Sequence, residues 1–315
     1  MAIITKLQEE DFKDILENYD LGKYRYHKHI TWALMNTVYE LRTTRGKFIL
    51  KIFEKASLKF IKYQISIIDF LARNRISVPK ICKLNNGKEL LIHNGKRIII
   101  QRFIEGKPKE KLNIRLLMDV ARKLGLMNKV LLKLKIKDES TWKKDYQLKA
   151  SEGRVKIRGF NLKQEKIKLL KELRTLKKNE LRRCIIHGDF HGVNLLVKGN
   201  KLKGIIDFDD SHEDYLAYEI AIFMIDPFIT EKIFNKNLAK IFFREYQRYI
   251  KLNEEERKAI YYFAKHRLLG IMLWILGKLK VHKDLRKHLT KILDRMVSKY
   301  KSFNKISLEE FMELF

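Results

Sequence analysis

One segment constrains what this chain can fold into more than any other. Residues 185–219 read IIHGDFHGVNLLVKGNKLKGIIDFDDSHEDYLAYE and carry His187-Gly188-Asp189, then Asn194, then Asp207. Two short apolar runs flank the turn residues 198–201 between Asn194 and Asp207, which predicts a β-hairpin. Because a hairpin brings its two ends together, we expect Asn194 and Asp207 to lie close to each other, with Asp189 on the preceding loop. The segment therefore predicts a site whose oxygen ligands suit a hard cation such as Mg²⁺.

The first hundred residues are predicted to be rich in β-strands. Thr37–Thr43 and Phe48–Phe53 alternate around a glycine-containing turn, which predicts a hairpin. Glu89–His93 and Arg97–Phe103 meet at Asn94-Gly95, a dipeptide typical of tight hairpins. Between the two pairs, apolar residues at helical spacing predict a helix over Leu58–Arg73.

The remaining chain is predicted to be mainly helical. The helical patterns cover 112–134, 162–183 and most of the chain after Tyr215, with a polar stretch at 137–160 and short strand-like runs at 184–186, 195–197 and 204–208. Trp274, Tyr261 and Tyr262 stand at helical spacing and are predicted to be core residues. The fold class expected is α+β, with a β-rich region at 1–103 and a helical region at 104–315.

The charge balance favours anionic partners without naming one. The 315 residues include 68 Lys and Arg against 38 Asp and Glu, so the formal net charge is +30. The densest basic stretch, 162–183, has nine basic and three acidic residues and is predicted to be a single amphipathic helix. Lysines are spread along the whole chain, and no nucleic-acid motif accompanies the basic stretch. Nucleic-acid binding through 162–183 therefore stands as an alternative, and solvated lysine-rich helices as the simpler explanation.

Composition also limits where such a chain is expected to work. Two cysteines do not make a secreted disulfide framework, so a reducing compartment is expected. The longest apolar run, 268–279, is 12 residues long, well short of the roughly 20 that a membrane span needs. The first residues do not read as a secretory signal. The expectation is a cytoplasmic protein without a membrane span.

The spacing of the central segment resembles a known catalytic pattern. His-x-Asp-x4-Asn followed by Asp at the end of the next strand is similar to the protein-kinase-like fold, and closest to its small-molecule branch. That branch includes aminoglycoside phosphotransferases, choline kinases, homoserine kinases and spore-coat kinase-like proteins. Asp209 stands where a protein kinase would have Gly, and residues 218–221 are similar to the branch's Asp-Leu-Ala helix start. The resemblance covers about residues 36–225 and implies a bilobal metabolite kinase.

The resemblance implies a role for each residue of the motif. Asp189 would orient or deprotonate the acceptor hydroxyl, and His187 would brace the loop. Asn194 and Asp207 would hold Mg²⁺ on the phosphates of ATP, with Asp209 adding a contact. These roles agree with the chemistry of phosphoryl transfer, which depends on charge neutralisation and alignment.

The resemblance also implies how the first region would bind nucleotide. Lys51 matches the phosphate-binding lysine of the family, and Gln101–Phe103 matches the hinge that pairs with adenine. The resemblance also implies that the side chains of residues 51, 189, 194 and 207 meet in the cleft between the lobes. Two features depart from the family. Residues 29–37 contain no glycine, and Gln64 stands near the place of the glutamate that pairs with the lysine. Both departures predict modest catalysis or an idle lineage.

The acceptor is the least constrained part of the prediction. Polar residues in apolar surroundings, His212, Asp214, His266 and Arg267, are candidates, although structural roles are the simpler interpretation. A basic chain suits a zwitterion such as homoserine better than a polycationic aminoglycoside. The predicted function is therefore an ATP- and Mg²⁺-dependent kinase of a small hydroxyl compound. The alternatives are an idle kinase-fold protein with a structural or spore-coat role and a nucleic-acid-binding protein.

Overall fold

The computed structural model describes residues 4–31, 35–140, 157, 159–281 and 285–315. The helices are α1 Glu9–Glu17, α2 Leu58–Arg73, α3 Ile114–Leu131, α4 Leu162–Arg174, α5 Leu216–Met224, α6 Lys236–Tyr246, α7 Glu254–Val281, α8 Arg286–Phe303 and α9 Leu308–Met312. The strands are β1 Tyr24–His29, β2 Thr37–Thr43, β3 Gly46–Phe53, β4 Leu91–His93, β5 Lys96–Arg102, β6 Lys107–Pro108, β7 Arg183–Ile186, β8 Leu195–Lys198, β9 Lys201–Ile205 and β10 His212–Tyr215.

The chain divides into two compact units. The first comprises Met1–Gly106 and Lys203–Ile206, and the second comprises Lys107–Leu202 and Asp207–Phe315. The predicted boundary at residue 103 assigns the short segment Lys203–Ile206 to the second region instead. That segment ends β9, and its Ile205 N–H donates to the carbonyl of Ser77 at 2.9 Å, which ties it to the first unit.

The first unit is built on a five-stranded antiparallel sheet in the order β1-β2-β3-β5-β4. Side chains alternate between its faces, so Phe48, Leu50 and Ile52 of β3 enter one core together with α1. Phe53 of β3 and Ile99 of β5 point to the other face and pack against α2. Since Lys51 shares the parity of Phe53 and is paired with Ile99, it lies on the α2 side of the sheet.

The second unit is mainly helical, with short strands that carry the motif. The long helix α7 packs against α5 and α8, and α3 packs against α6. Strand β7 pairs antiparallel with β10, with Ile186 opposite His212. Strand β8 lies between β6 and β9 in a three-stranded sheet. The strand β7 therefore delivers the chain directly to His187-Gly188-Asp189.

Several predicted elements end at different residues in the structure. The helix predicted over 162–183 ends at Arg174, because a 3-10 turn follows and Arg183 already pairs in β7. The strand predicted at 204–208 is β9, and it ends at Ile205 because Asp207 has a positive φ of 65°. The strand predicted at 89–93 begins only at Leu91. Most of the polar stretch 137–160 lies outside the described residues.

The prediction of aromatic core residues on α7 is partly wrong. Tyr261 is buried and its hydroxyl donates to the carbonyl of Ile306 at 2.6 Å. Tyr262 is only half-buried, and Trp274 is exposed, with 46% of its surface accessible. The ammonium group of Lys278 lies over the Trp274 ring, 5.5 Å from its centre.

In the part of the chain that the structure describes, we find no helix both long enough and apolar enough to cross a bilayer.

Candidate active site

The loop after β7 adopts a shape that requires glycine. Gly188 has φ +80°, and a Cβ added there would lie 2.2 Å from the carbonyl oxygen of Asp210. No L side chain fits so close an approach without moving the backbone. The loop therefore lies directly against the chain that follows Asp207–Asp209, which brings the two halves of the motif together.

His187 is fully buried and forms hydrogen bonds through both its backbone and its ring. Its backbone N–H donates to the carboxylate of Glu219, and its Nδ1 accepts from the N–H of Asp189 at 3.3 Å. Its ring lies 4.6 Å from the ring of Phe208. The imidazole thus supports both the loop that carries Asp189 and the segment that carries Asp207 and Asp209.

Glu219, on α5, anchors the loop from below and was not singled out from the sequence. Its side chain is fully buried, and burial raises the pKa of its carboxyl to about 7, although the amides of His187 and Gly188 and the charge of His212 act in the opposite direction. A buried carboxylate that accepts from loop amides fixes the loop backbone.

Asp189 is the most densely contacted side chain of the site. Arg267 Nη2 donates to Oδ1 at 3.0 Å, while His191 Nε2 and Asn194 Nδ2 each donate to Oδ2 at 3.0 Å. Burial alone raises the pKa of Asp189, but the hydrogen bond and charge of His191 and the charge of Arg267 outweigh it and hold that pKa well below its usual range. Asp189 is therefore a held, ionised carboxylate.

The side chains of His191 and Arg267, which both contact the Asp189 carboxylate, come from different places in the chain. His191 lies two residues along the loop, and burial, which lowers its pKa, is outweighed by its hydrogen bond to Asp189, so that its pKa is raised. Sequence reasoning did not assign His191 a role, although its place in His-Gly-Asp-Phe-His was visible. Arg267 comes from α7, 78 residues away, and was proposed from the sequence only as one of four acceptor candidates.

Asn194 ends a 3-10 turn, and the nitrogen and the oxygen of its side-chain amide have different surroundings. Its nitrogen donates to the carbonyl oxygen of Asp189 at 2.9 Å as well as to the carboxylate. Because the nitrogen end is held by Asp189, the oxygen end is the one that a cation would use. The orientation agrees with the ligand role implied for Asn194.

Asp207 and Asp209 flank the buried ring of Phe208. Asp207 is exposed and has a left-handed backbone, a conformation that aspartate tolerates better than most residues, and Asp209 is half-buried. Such local strain is typical of functional sites. Across the described ranges, no three His, Cys, Asp or Glu side chains form a ready metal cage. Carboxylate and amide oxygens nevertheless suit a hard divalent ion that keeps phosphate and water ligands.

The other acceptor candidates from the sequence have internal partners. His212 Nδ1 bonds to the carbonyl of Asp210 at 2.7 Å, and its Nε2 lies 3.6 Å from Asp214 Oδ2. The Tyr218 hydroxyl and Nδ1 of the fully buried His266 form a hydrogen bond of 3.3 Å. These contacts favour structural roles for His212, Asp214 and His266.

In the first unit, the structure places the predicted lysine and its partner on facing elements. Lys51 lies in the middle of β3 on the α2 side, with its ammonium group 5.2 Å from the centre of the Phe53 ring. Gln64 is buried on α2 between Ile61 and Ile65, which pack against the same side of the sheet. In the described part of the chain, Gln64 Nε2 has no hydrogen-bond partner.

The predicted hinge, Gln101–Phe103, is hydrogen-bonded to neighbouring strands and loops of the first unit. Gln101 pairs with Ile49 of β3 and bridges to Ile81. The N–H of Phe103 donates to the carbonyl of Lys47 at 3.4 Å, and that of Arg102 to Lys80 at 2.8 Å. The backbone N–H groups of Arg102 and Phe103 are therefore already used in hydrogen bonds within the first unit.

A buried network fixes the end of the glycine-free segment 29–37, of which residues 32–34 lie outside the described residues. The Glu54 carboxylate, with 1% of its side chain exposed, accepts from the hydroxyls of Thr37 at 2.5 Å and Thr5 at 3.0 Å and from Lys96 at 2.8 Å. The Glu54 N–H donates to Asn36 Oδ1 at 3.3 Å. This network is not predictable from the sequence, because its members are far apart along the chain.

Comparison with known proteins shows which family shares this arrangement. The model of the phosphotransferase enzyme family matches residues 29–259. Homoserine kinase of Bradyrhizobium diazoefficiens is 29% identical over 287 residues, covering 87% of this chain and 85% of that protein. Homoserine kinase of Sinorhizobium medicae is 28% identical over 308 residues, covering 93% and 94%.

Solved structures confirm the predicted α+β, protein-kinase-like fold. Amicoumacin kinase hAmiN, in complex with AMP-PNP, Ca²⁺ and Ami, superposes with a TM-score of 0.74 at 18% identity over 96% of this chain and 95% of that one. A microcompartment-associated aminopropanol kinase superposes with a TM-score of 0.71 at 14% identity, and the match covers 98% of this chain and 100% of that one. At such identities the likeness shows the fold alone. The family model, however, spans most of the sequence and includes the whole loop around Asp189, so this chain belongs to the phosphotransferase enzyme family.

Proposed function

We propose that this phosphotransferase moves the terminal phosphoryl group of ATP to the hydroxyl of a small amino-acid-like alcohol, with L-homoserine as the best candidate. The observation that carries the proposal is the set of three donors on Asp189, which holds an ionised carboxylate in one orientation. Similarity to the two homoserine kinases over most of the chain supports the acceptor.

Asp189 would act on the acceptor. The acceptor oxygen forms a bond to the transferred phosphorus, the bond from phosphorus to ADP breaks, and its electron pair stays on ADP. The hydroxyl proton passes to the Asp189 carboxylate. With its low pKa, Asp189 is a weak base, so orientation of the hydroxyl contributes more than early proton removal.

Asn194 and Asp207 would hold Mg²⁺, with Asp209 beside them. The ion would neutralise charge on the phosphates of the nucleotide. The donor set of this chain fits, because the nitrogen end of Asn194 is fixed by Asp189 and its oxygen remains for a cation. His187, through Phe208, would keep the segment of Asp207 in place.

The first unit would bind the nucleotide. Lys51 would contact phosphate oxygens as a point charge, and backbone groups after Phe103 would pair with adenine. Gln64 would hydrogen-bond less firmly to Lys51 than a carboxylate would, because neither of its ends is charged. We therefore expect a weaker hold on the phosphates than a Lys-Glu pair provides.

A direct test is phosphoryl transfer to a panel of acceptors. Purified protein with ATP and Mg²⁺ would be offered L-homoserine, L-serine, choline, kanamycin and propanolamine, with ADP and phosphorylated product both measured. L-Homoserine should give the highest kcat/KM, by at least about tenfold, because matched polar contacts discriminate strongly. Preferential transfer to choline or kanamycin would overturn the proposed acceptor.

The same material distinguishes the idle alternative. ATP binding that depends on Mg²⁺ and is weakened by Asp207→Asn supports the enzyme. Failure to bind ATP at millimolar concentration would favour an idle kinase-fold protein. The nucleic-acid alternative gains no support from the family match, and the helix predicted over 162–183 stops at Arg174.

A further inference from the structure

Arg267 donates a hydrogen bond to Oδ1, the oxygen of Asp189 that has the fewer donors. Oδ2 already accepts from His191 and Asn194, each at 3.0 Å, and Oδ1 accepts from Arg267 at 3.0 Å. Since a carboxylate oxygen accepts about two hydrogen bonds, an acceptor hydroxyl that donates to Oδ1 would share that oxygen with the guanidinium of Arg267.

The three donors differ in how easily they can leave. Asn194 also donates to the carbonyl of Asp189, and His191 is only two residues away on the same loop. Arg267 reaches in from α7 on a long side chain, of which 16% is exposed. Its departure leaves the loop contacts of Asp189 intact. Arg267 is therefore the donor that an incoming acceptor can displace at the smallest structural cost.

A buried guanidinium leaves a carboxylate readily only for another carboxylate. Burial opposes its charge, and the charges of Asp189 and Asp210 and a hydrogen bond to the Tyr218 hydroxyl support it. Moving Arg267 off Asp189 without a new anion would leave a buried cation partly uncompensated. The planar guanidinium can instead bind an incoming carboxylate through two parallel hydrogen bonds.

We propose that the carboxylate of the acceptor draws Arg267 away from Asp189 and so frees Oδ1 for the acceptor hydroxyl. This inference rests on the proposed function, since it requires an acceptor with both groups, such as homoserine. Arg267 then acts as a specificity-determining residue. An alcohol without a carboxylate leaves Arg267 bound to Asp189 and is phosphorylated poorly. For the same reason, transfer of the phosphoryl group to water is slow.

The chemistry of the step is unchanged by this exchange. One ion pair between Arg267 and Asp189 is replaced by one between Arg267 and the acceptor carboxylate, so the number of charges is conserved. The hydroxyl proton still passes to Asp189 as the bond from oxygen to phosphorus forms.

The test compares acceptors that differ only at the carboxylate. L-Homoserine, its amide and propanolamine, which is homoserine without the carboxylate, would be assayed with wild type, Arg267→Gln and Arg267→Lys. Lys278→Gln is the matched control, because it removes one positive charge from the same helix at an exposed position away from Asp189.

With wild type, kcat/KM should be about 100-fold higher for homoserine than for its amide or propanolamine, as expected for a charged hydrogen-bonded pair. Arg267→Gln should lower the homoserine value about 100-fold more than the propanolamine value, so that the ratio of the two values of kcat/KM falls from about 100 to near one. Arg267→Lys should recover part of the loss for homoserine. Lys278→Gln should resemble wild type with all three acceptors.

The outcomes separate the two proposals. If Arg267→Gln reduces kcat/KM by the same factor for all three acceptors, while thermal unfolding and nucleotide affinity stay at wild-type values, Arg267 only positions Asp189 and the inference is overturned. If homoserine is not phosphorylated by wild type, the proposed acceptor fails and the inference falls with it. If Arg267→Gln does not fold, the wild-type ratio of homoserine to its amide still decides the carboxylate preference, and a ratio near one contradicts it.

Discussion

The two units present their parts of the proposed reaction in different ways. In the second unit, the loop around Asp189 is densely connected: a buried carboxylate below it, a buried imidazole beside it and three donors on its carboxylate. In the first unit, Lys51 lies on the side of the sheet that packs against α2, and the buried Gln64 of α2 is neutral and has an amide nitrogen without a hydrogen-bond partner in the described residues.

The difference indicates which side chains of this family member are held most firmly in place. A loop fixed by buried charges keeps the hydroxyl-accepting carboxylate within a narrow range of positions, which phosphoryl transfer requires. In the first unit, the network of Glu54 with Thr37 and Lys96 fixes the end of the segment 29–37, which contains no glycine. Turnover should therefore be sensitive to changes in the second unit, and nucleotide affinity to changes in the first.

The largest effect is expected for Asp189→Asn. The variant keeps the shape of the side chain but loses the charge that orients the hydroxyl and accepts its proton, so kcat should fall by about 10³-fold. The affinity for ATP, measured by calorimetry, should change little, because Asp189 acts on the acceptor. A parallel loss of ATP affinity and of thermal stability would assign Asp189 to the fold.

Glu219→Gln tests how strongly the loop depends on a buried carboxyl group. Glu219 has a pKa of about 7 in the folded protein against 4.5 ordinarily, so between these values the folded state holds one proton more than the unfolded state. Stability from this group is therefore greatest at low pH and decreases as pH rises, by about 3 kcal/mol in total. Relative to Glu219→Gln, the unfolding free energy of wild type should fall by that amount between about pH 4.5 and pH 7. A difference that stays constant with pH would contradict the proposed burial.

Lys51→Met tests the nucleotide side, with Lys47→Met as a matched control. Both lysines are on β3, and each ammonium group lies 5.2 Å from the centre of a phenylalanine ring. Loss of a phosphate contact should lower kcat/KM for ATP by about 100-fold in Lys51→Met. Lys47→Met should remain within a few-fold of wild type. Equal effects from both variants would remove Lys51 from the phosphate site.

The smallest effect is expected for Gln64→Glu, which would sharpen the contrast between the units. A carboxylate at this position removes the unpartnered amide nitrogen and supplies an anion on the side of the sheet that carries Lys51. We expect kcat/KM for ATP to rise a few-fold, with Gln64→Leu unchanged or lower. A decrease with Glu and none with Leu would show that the neutral amide is the better partner.

The sequence predicted the parts of the fold that depend on local pattern. The hairpins at 37–53 and 91–102 follow from alternation and turn residues, and the strand-like run at 184–186 predicts β7, after which Asp189 stands on a loop. Alternation of β3 also determines that Lys51 faces α2. Such features require only neighbours along the chain, so the sequence carries them directly.

What the sequence did not predict depends on contacts between distant segments. The hydrogen bond between Arg267 and Asp189 joins residues 78 positions apart, and the one between Glu219 and His187 joins residues 32 positions apart. No rule of local spacing in the sequence predicts such pairs. Trp274 was predicted to be buried from its helical spacing, but 46% of its surface is exposed, because spacing along one helix does not show which side the neighbouring helices cover. The end of α4 was missed because lysine-rich helical pattern continues past Arg174 until strand pairing takes over.

The most direct test of the account is a phosphorus NMR time course of the protein with ATP, Mg²⁺ and L-homoserine. The account predicts that a phosphate ester on the homoserine oxygen appears in step with ADP for wild type and is nearly absent for Asp189→Asn. Release of ADP and inorganic phosphate without any ester, or ester formation at equal rates in both proteins, would contradict it.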